Sequence, residues 1–179
     1  FRKKDKCSLS FVPDCMPQPQ QSQQPDPDPC VPPFITPGTS GCYYVDTTAS
    51  VNFTAARSLC SDQGGLLVEI DSQEKQNEIF QYLDANPSFR TNYSWLGATD
   101  RDVEGNWVWT TSGRPITFTN WLAGEPGPGA LLDVQDCTEM RRVDEAWHAG
   151  KWADTQCDNL RQPICEIGEN RFTLVFLVC

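Results

Sequence analysis

The sequence predicts an α+β fold. Three observations predict it: two helix-forming stretches come first, short strand-like segments follow, and nine cysteines are spread over 179 residues. Helices first and strands after is an α+β order, not the alternation of βαβ units. The length suits one core-forming domain with appendages. The cysteines are Cys7, Cys15, Cys30, Cys42, Cys60, Cys137, Cys157, Cys165 and Cys179, with no C-x-x-C pair, and His148 is the only histidine. Zinc sites need clustered Cys and His, so a disulfide framework and an oxidising compartment are the better reading.

Residues 1–38 read as an arm and linker. The opening FRKKDK is polar and lacks the apolar stretch of a secretory signal, which implies a signal already removed. The run MPQPQQSQQPDPDP is rich in proline, which has no amide donor and a fixed φ, so regular structure is not expected there. Cys7 and Cys15 close a local loop in this arm or bridge to another chain.

The domain itself is read over residues 39–168. GCYYVD has aromatic strand character. Asn52 is placed to cap a helix through Phe53, Ala56, Leu59 and Cys60 toward Gln63, ended by Gly64-Gly65. Asp71 is placed to cap a second helix, with Glu74 in a reciprocal capping box. Ile79, Phe80 and Leu83 fall on its inner face, and Asn86-Pro87 stops it. Short segments follow at Trp95–Ala98, Asn106–Trp109, Asp136–Met140, His148–Trp152 and Pro163–Glu166. A long loop containing EPGPGA lies between Trp121 and Asp136. Residues 169–179 form an apolar tail, read as a docked strand or a sticky edge and too short to cross a bilayer.

Charge narrows the partners. The net charge is −10, and residues 42–179 carry all of it, with 20 acids against 10 bases. Such a surface disfavours nucleic acid. It suits cations, basic partners or mineral surfaces, and it also serves plain solubility. No run of 18 apolar residues exists to span a membrane. Two sequons, Asn52-Phe-Thr54 and Asn92-Tyr-Ser94, agree with secretion. At Asn52 a helix cap and a glycan are expected to compete for one side chain.

Together these segments resemble the C-type lectin domain family. The resemblance is carried by Cys60, the WLGATD segment at Trp95–Asp100, the stretch Glu104–Trp109 and Asn120-Trp121. It continues through Glu125-Pro126, Asp136-Cys137, Lys151–Asp154, Cys157 and Ile164-Cys165-Glu166. It implies a C-type lectin-like fold: two helices, small antiparallel sheets and a long ligand-binding loop. It also implies the bridges Cys60–Cys165 and Cys137–Cys157, with Cys30–Cys42 as the extra bridge of the long form. Cys7–Cys15 is then favoured as a pair. Cys179 is left unpaired or intermolecular, so a disulfide-linked oligomer through Cys7, Cys15 or Cys179 stays open.

The resemblance further implies a calcium ion in the long loop, held by an EPN or QPD triplet, an acid before Asp-Cys and the Asn-Asp of a WND motif. Glu125 and Asp154 match this pattern. Gly127 stands for the triplet's Asn, Gln135 for the acid and Ala153 for the Asn of WND. Calcium takes six to eight oxygens, and glycine and alanine offer no side-chain oxygen. Calcium at the sugar site is therefore expected to be weak or absent. At the neighbouring calcium position Asp100, Glu104 and Asp136 match, Pro128 and Gln135 do not, and Asp133 lies in extra loop length as a substitute ligand.

The function implied is a secreted lectin-like binding protein, with carbohydrate recognition of weak or altered calcium dependence and a role in innate recognition. Trp121 and Trp147 are candidate stacking faces for a sugar ring. The alternative is a calcium-independent protein-binding or matrix domain, using a loop that carries Leu131 and Leu132. Catalysis is not expected, because neither a G-x-S-x-G elbow nor a P-loop appears and a single histidine leaves triads without a base.

Overall fold

A computed structural model describes residues 30, 33–35, 41–86, 93–127, 134–142 and 150–167. The arm with Cys7 and Cys15, the tail with Cys179, Asn92, loop residues 128–133 and residues 143–149 with Trp147 and His148 lie outside the described residues.

Strand β1 is Tyr43–Val45 and is followed by helix α1, Phe53–Asp62. Asn52 caps α1, its Oδ1 accepting from the Ala55 N–H at 2.9 Å. Only the oxygen of this amide is spent on the cap. Phe53, Ala56 and Cys60 form the buried stripe of α1. The helix ends where Gly64 takes a φ of +81°, a conformation glycine adopts without Cβ strain.

Strand β2, Leu66–Leu67, leads to helix α2, Gln73–Ala85. Its cap is Ser72, not Asp71: Ser72 is extended and its hydroxyl accepts from the Lys75 N–H at 3.2 Å. The one-residue shift puts Lys75, not Glu74, at the third helical position that a reciprocal box uses. The Lys75 ammonium instead pairs with Glu166 and donates to the Glu69 carbonyl. Asn86 closes the helix.

The remaining strands are β3 (Tyr93–Thr99), β4 (Val108–Trp109), β5 (Cys137–Arg141), β6 (Trp152–Thr155) and β7 (Gln162–Glu166). Of the segment expected to be a strand over His148–Trp152, the described residues Gly150 and Lys151 precede β6, which starts at Trp152 and runs on through Asp154. The sheet order is β1-β7-β3-β5-β6, with β2 on β7 and β4 on β3. Pairing is antiparallel except for β3 on β7, which is parallel.

Two clusters form the core. One gathers Trp107, Trp109 and Trp152 with Ile79, Leu83 and Leu96. The other surrounds Cys60 and Cys165 with Phe53 and Trp95. Bridges join Cys30–Cys42, Cys60–Cys165 and Cys137–Cys157, the pairs the resemblance implies. The second spans a sequence separation of 105 and the third one of 20. In the chain-entropy model these constrain the unfolded chain by up to ~4.7 and ~3 kcal/mol. Cys137–Cys157 ties the start of β5 to the turn after β6, the two strands that frame the candidate site.

Candidate functional site

The site forms where the long loop meets the β5–β6 edge. The Leu122 N–H donates to the Trp152 carbonyl at 2.8 Å and the Glu125 N–H to the Leu122 carbonyl at 2.9 Å, folding the loop back over β6. A cis Glu125–Pro126 bond follows. The Gly127 N–H then donates to both carboxylate oxygens of Asp154, at 3.1 and 3.0 Å. Asp154 is buried on β6 opposite Thr138. A Cβ placed on Gly127 would lie 3.5 Å from Glu125 Oε2, 3.8 Å from Gln135 Oε1 and 4.0 Å from Asp154 Oδ2. Glu125, Gly127, Gln135 and Asp154, distant in sequence, therefore meet around one point.

A cation already stands beside these acids. The Arg141 guanidinium lies 3.5 Å from Glu125 Oε1 and 3.1 Å from Glu139 Oε1. Glu139 also takes Arg161 at 2.6 Å, and Arg161 stacks over the Tyr93 ring at 4.7 Å. Burial raises the Glu125 carboxyl above its usual range. A hydrogen bond and repulsion from Asp154 raise it further, while Arg141 opposes the shift. Arg141, Glu139 and Arg161 escape a sequence reading centred on loop acids. The signal was available, since Glu139 and Arg141 are two apart on one strand and so share a face.

The second group of acids is dispersed in its bonding. Asp100 is buried; its Oδ2 accepts from the Gly105 N–H at 2.8 Å, and its Oδ1 has no hydrogen-bond partner among the described residues. Burial raises its carboxyl, and repulsion from Glu104 and Asp136 adds to this. Asp136 lies 3.8 Å from Arg101, and Glu104 is exposed. The Asp100 N–H donates to the Asp136 carbonyl at 3.3 Å, holding the 101–105 turn against the end of the long loop.

Neither group reaches calcium's six to eight oxygens through side chains. Around Gly127 there are two carboxylates and one amide oxygen, and Glu125 already has Arg141 as its counter-ion. Among the described residues no group of three or more His, Cys, Asp or Glu is arranged to hold a metal ion. Ala153 is fully buried and adds no donor. Asp133 and Pro128 lie outside the described residues.

Trp121 is half-buried. Its ring meets Trp107 and Trp152 edge-on, with centroids 5.1 and 5.7 Å apart, and packs against the core cluster that holds both.

The fold sets this loop over β6 beside two carboxylates. The family model of the lectin C-type domain matches residues 49–167, and the chain belongs to this family. Its members are non-enzymatic binding proteins, and this chain is not an enzyme. The low affinity immunoglobulin epsilon Fc receptor of Mus musculus is 35% identical over 126 residues, 70% of this chain and 33% of the receptor. C-type lectin domain family 4 member E of Mus musculus is 35% identical over 132 residues, 73% of this chain and 56% of that protein. The chain thus spans less than two thirds of either relative. Among solved structures, the carbohydrate-recognition domain of the mouse scavenger receptor C-type lectin is 31% identical. It superposes with a TM-score of 0.62, over 78% of this chain and 98% of that one.

Proposed function

We propose that the loop edge formed by Glu125, Gly127, Gln135 and Asp154 binds carbohydrate, with calcium contributing little or nothing. The observation that supports this is the convergence of three side-chain oxygens on Gly127 with a guanidinium beside them. Glu125, Asp154 and Gln135 Oε1 accept hydrogen bonds from sugar hydroxyls, and Arg141 donates to sugar oxygens. Hydrogen bonds to charged groups contribute about 1.5–3 kcal/mol each, enough for a metal-free polyol site of modest affinity. The three bridges and the two sequons fit a secreted glycoprotein, and innate recognition is the role this reading favours. Cys7, Cys15 and Cys179 remain the candidates for a covalent oligomer. The domain occupies residues 39–168 in this reading, between an arm and an apolar tail.

A second reading, calcium-independent binding of a protein or matrix partner, is favoured by Val103 and Val134. Both are exposed, at 59% and 65%, on the two segments held together by the Asp100–Asp136 bond. An apolar pair beside a polar cleft suits a protein partner.

A glycan array in calcium and in chelator, paired with thermal melting in both, separates the readings. The expected result is array binding that persists in chelator and a Tm that ignores calcium. An empty array overturns the carbohydrate reading and leaves the protein partner. Binding lost in chelator overturns the claim that calcium contributes little.

A further inference from the structure

Asn52 offers an amide whose two ends have different duties. Its Oδ1 accepts from the Ala55 N–H at 2.9 Å, which satisfies one of the unpaired amides at the start of α1. Its Nδ2 makes no hydrogen bond among the described residues, and the hydroxyl-bearing member of the sequon, Thr54, is exposed. Val51 pairs antiparallel with Arg161 through two 3.0 Å bonds. Leu160 adjoins Arg161 on the facing segment, and the Phe53 N–H donates to the Cys157 carbonyl at 2.9 Å, so the stretch 157–161 runs beside the start of α1. Leu160 is an apolar side chain left 59% exposed.

We infer that Asn52 is an N-glycosylation site whose sugar sits on Nδ2 while Oδ1 goes on capping α1, and whose first sugar covers Leu160. The bond formed joins Nδ2 to the anomeric carbon of an oligosaccharide. The bond broken joined that carbon to the pyrophosphate of a lipid-linked donor, which leaves as the lipid pyrophosphate. The displaced amide proton goes to a base of the transferase. Transfer takes place on the extended chain, so the folded geometry decides whether the product is tolerated. A substituted amide keeps both lone pairs of Oδ1, and the cap needs only one of them. This inference does not depend on the ligand reading, because Asn52 caps α1 and is not among the residues proposed to hold the ligand.

The test is secretion of the full chain from a host with the N-glycosylation machinery, followed by mass spectrometry of the Asn52 peptide. A glycan-mass increase is expected, removed by an amidase that leaves aspartate at position 52. Thr54→Ala should abolish the modification and leave the disulfides intact. Asn52→Asp keeps a capping oxygen without the sugar. The glycosylated chain should therefore melt no lower than this variant. Radical footprinting should show Leu160 protected in the glycosylated chain and labelled after amidase treatment. An unmodified Asn52 in the secreted chain, a glycosylated chain that melts below Asn52→Asp, or equal labelling of Leu160 in both forms overturns the inference.

Discussion

Glu125 and Asp154 hold their carboxyls in hydrogen-bond contact at the loop edge, and the Gly127 N–H donates to Asp154. Two acids this close resist being ionised together, and Glu125 is held above its ordinary value of 4.5 by burial first and by Asp154 second. A raised folded pKa stabilises the fold fully below that ordinary value. The contribution is lost as pH rises through the raised one. Replacing Glu125 by Gln removes this term. Thermal melts from acid to neutral pH should show Glu125→Gln gaining on the parent as pH rises, with the difference smallest in acid. A parent–variant difference that does not change with pH would contradict the shared-proton contact.

Calcium should be recoverable by supplying the missing oxygens. Gly127 has no left-handed backbone, and a Cβ there makes only ordinary contacts. The triple variant Gly127→Asn, Gln135→Glu, Ala153→Asn therefore completes the ligand pattern without backbone strain at 127. At a hundredfold excess over Kd, calcium would stabilise it by about 2.7 kcal/mol. A Tm rise of several degrees in calcium, absent in the parent, is the expected reading. A triple variant that folds and ignores calcium would show that Arg141 or the loop path, not donor count, controls the site.

Glu139 is the joint of the charge ladder, buried between Arg141 and Arg161. Its replacement by Ala takes the carboxylate from Arg161 and leaves Arg141 with Glu125 alone. Removing one partner of a buried ion pair costs about 3–5 kcal/mol, and partial solvent access of both arginines places the expected loss near the lower figure. Urea unfolding should record a lower midpoint at unchanged slope. Because Arg141 also faces Glu125, sugar binding should weaken in the same variant.

Gly97 sits where β3 crosses the chain leaving β2. A Cβ there would approach the Leu67 carbonyl oxygen to 2.8 Å and that of Val68 to 3.1 Å, both backbone atoms. Gly97→Ala should cost about 2–3 kcal/mol, since the strands must part to admit one methyl. Equilibrium unfolding measures this directly. A neutral result would mean the crossing is looser than the Gly97–Val68 bond of 2.9 Å indicates.

Much of the fold was legible because it is written in local signals. The Asn52 cap, the Gly64-Gly65 stop and the Asn86 end of α2 each rest on the chemistry of one or two residues. Asp71 and Ser72 are both good caps in sequence; in the fold Ser72 takes the role, and Lys75 at the third helical position pairs with Glu166. Strand β2 was missed because Leu66–Leu67 is too short to show a period and exists through its pairing with β7. At the site, the resemblance placed Glu125 and Asp154. Arg141 and Glu139 were missed although their two-residue spacing on one strand shows a shared face, because what that face meets is decided by the tertiary fold. The half-burial of Trp121 was not legible either, because an aromatic beside a binding loop looks the same in sequence however much of it the core covers.

The order of the sheet has a consequence for display. Tyr43 faces Glu166 across β1 and β7, so the chain enters and leaves the described domain at one edge. The Gly127 cleft lies on β6, at the opposite edge, four strands away. Anything tethered at either end would therefore hang behind the domain and leave its reading head pointing outward. Copies joined through their flanking segments would present their clefts away from the junction, where several could engage one surface at once.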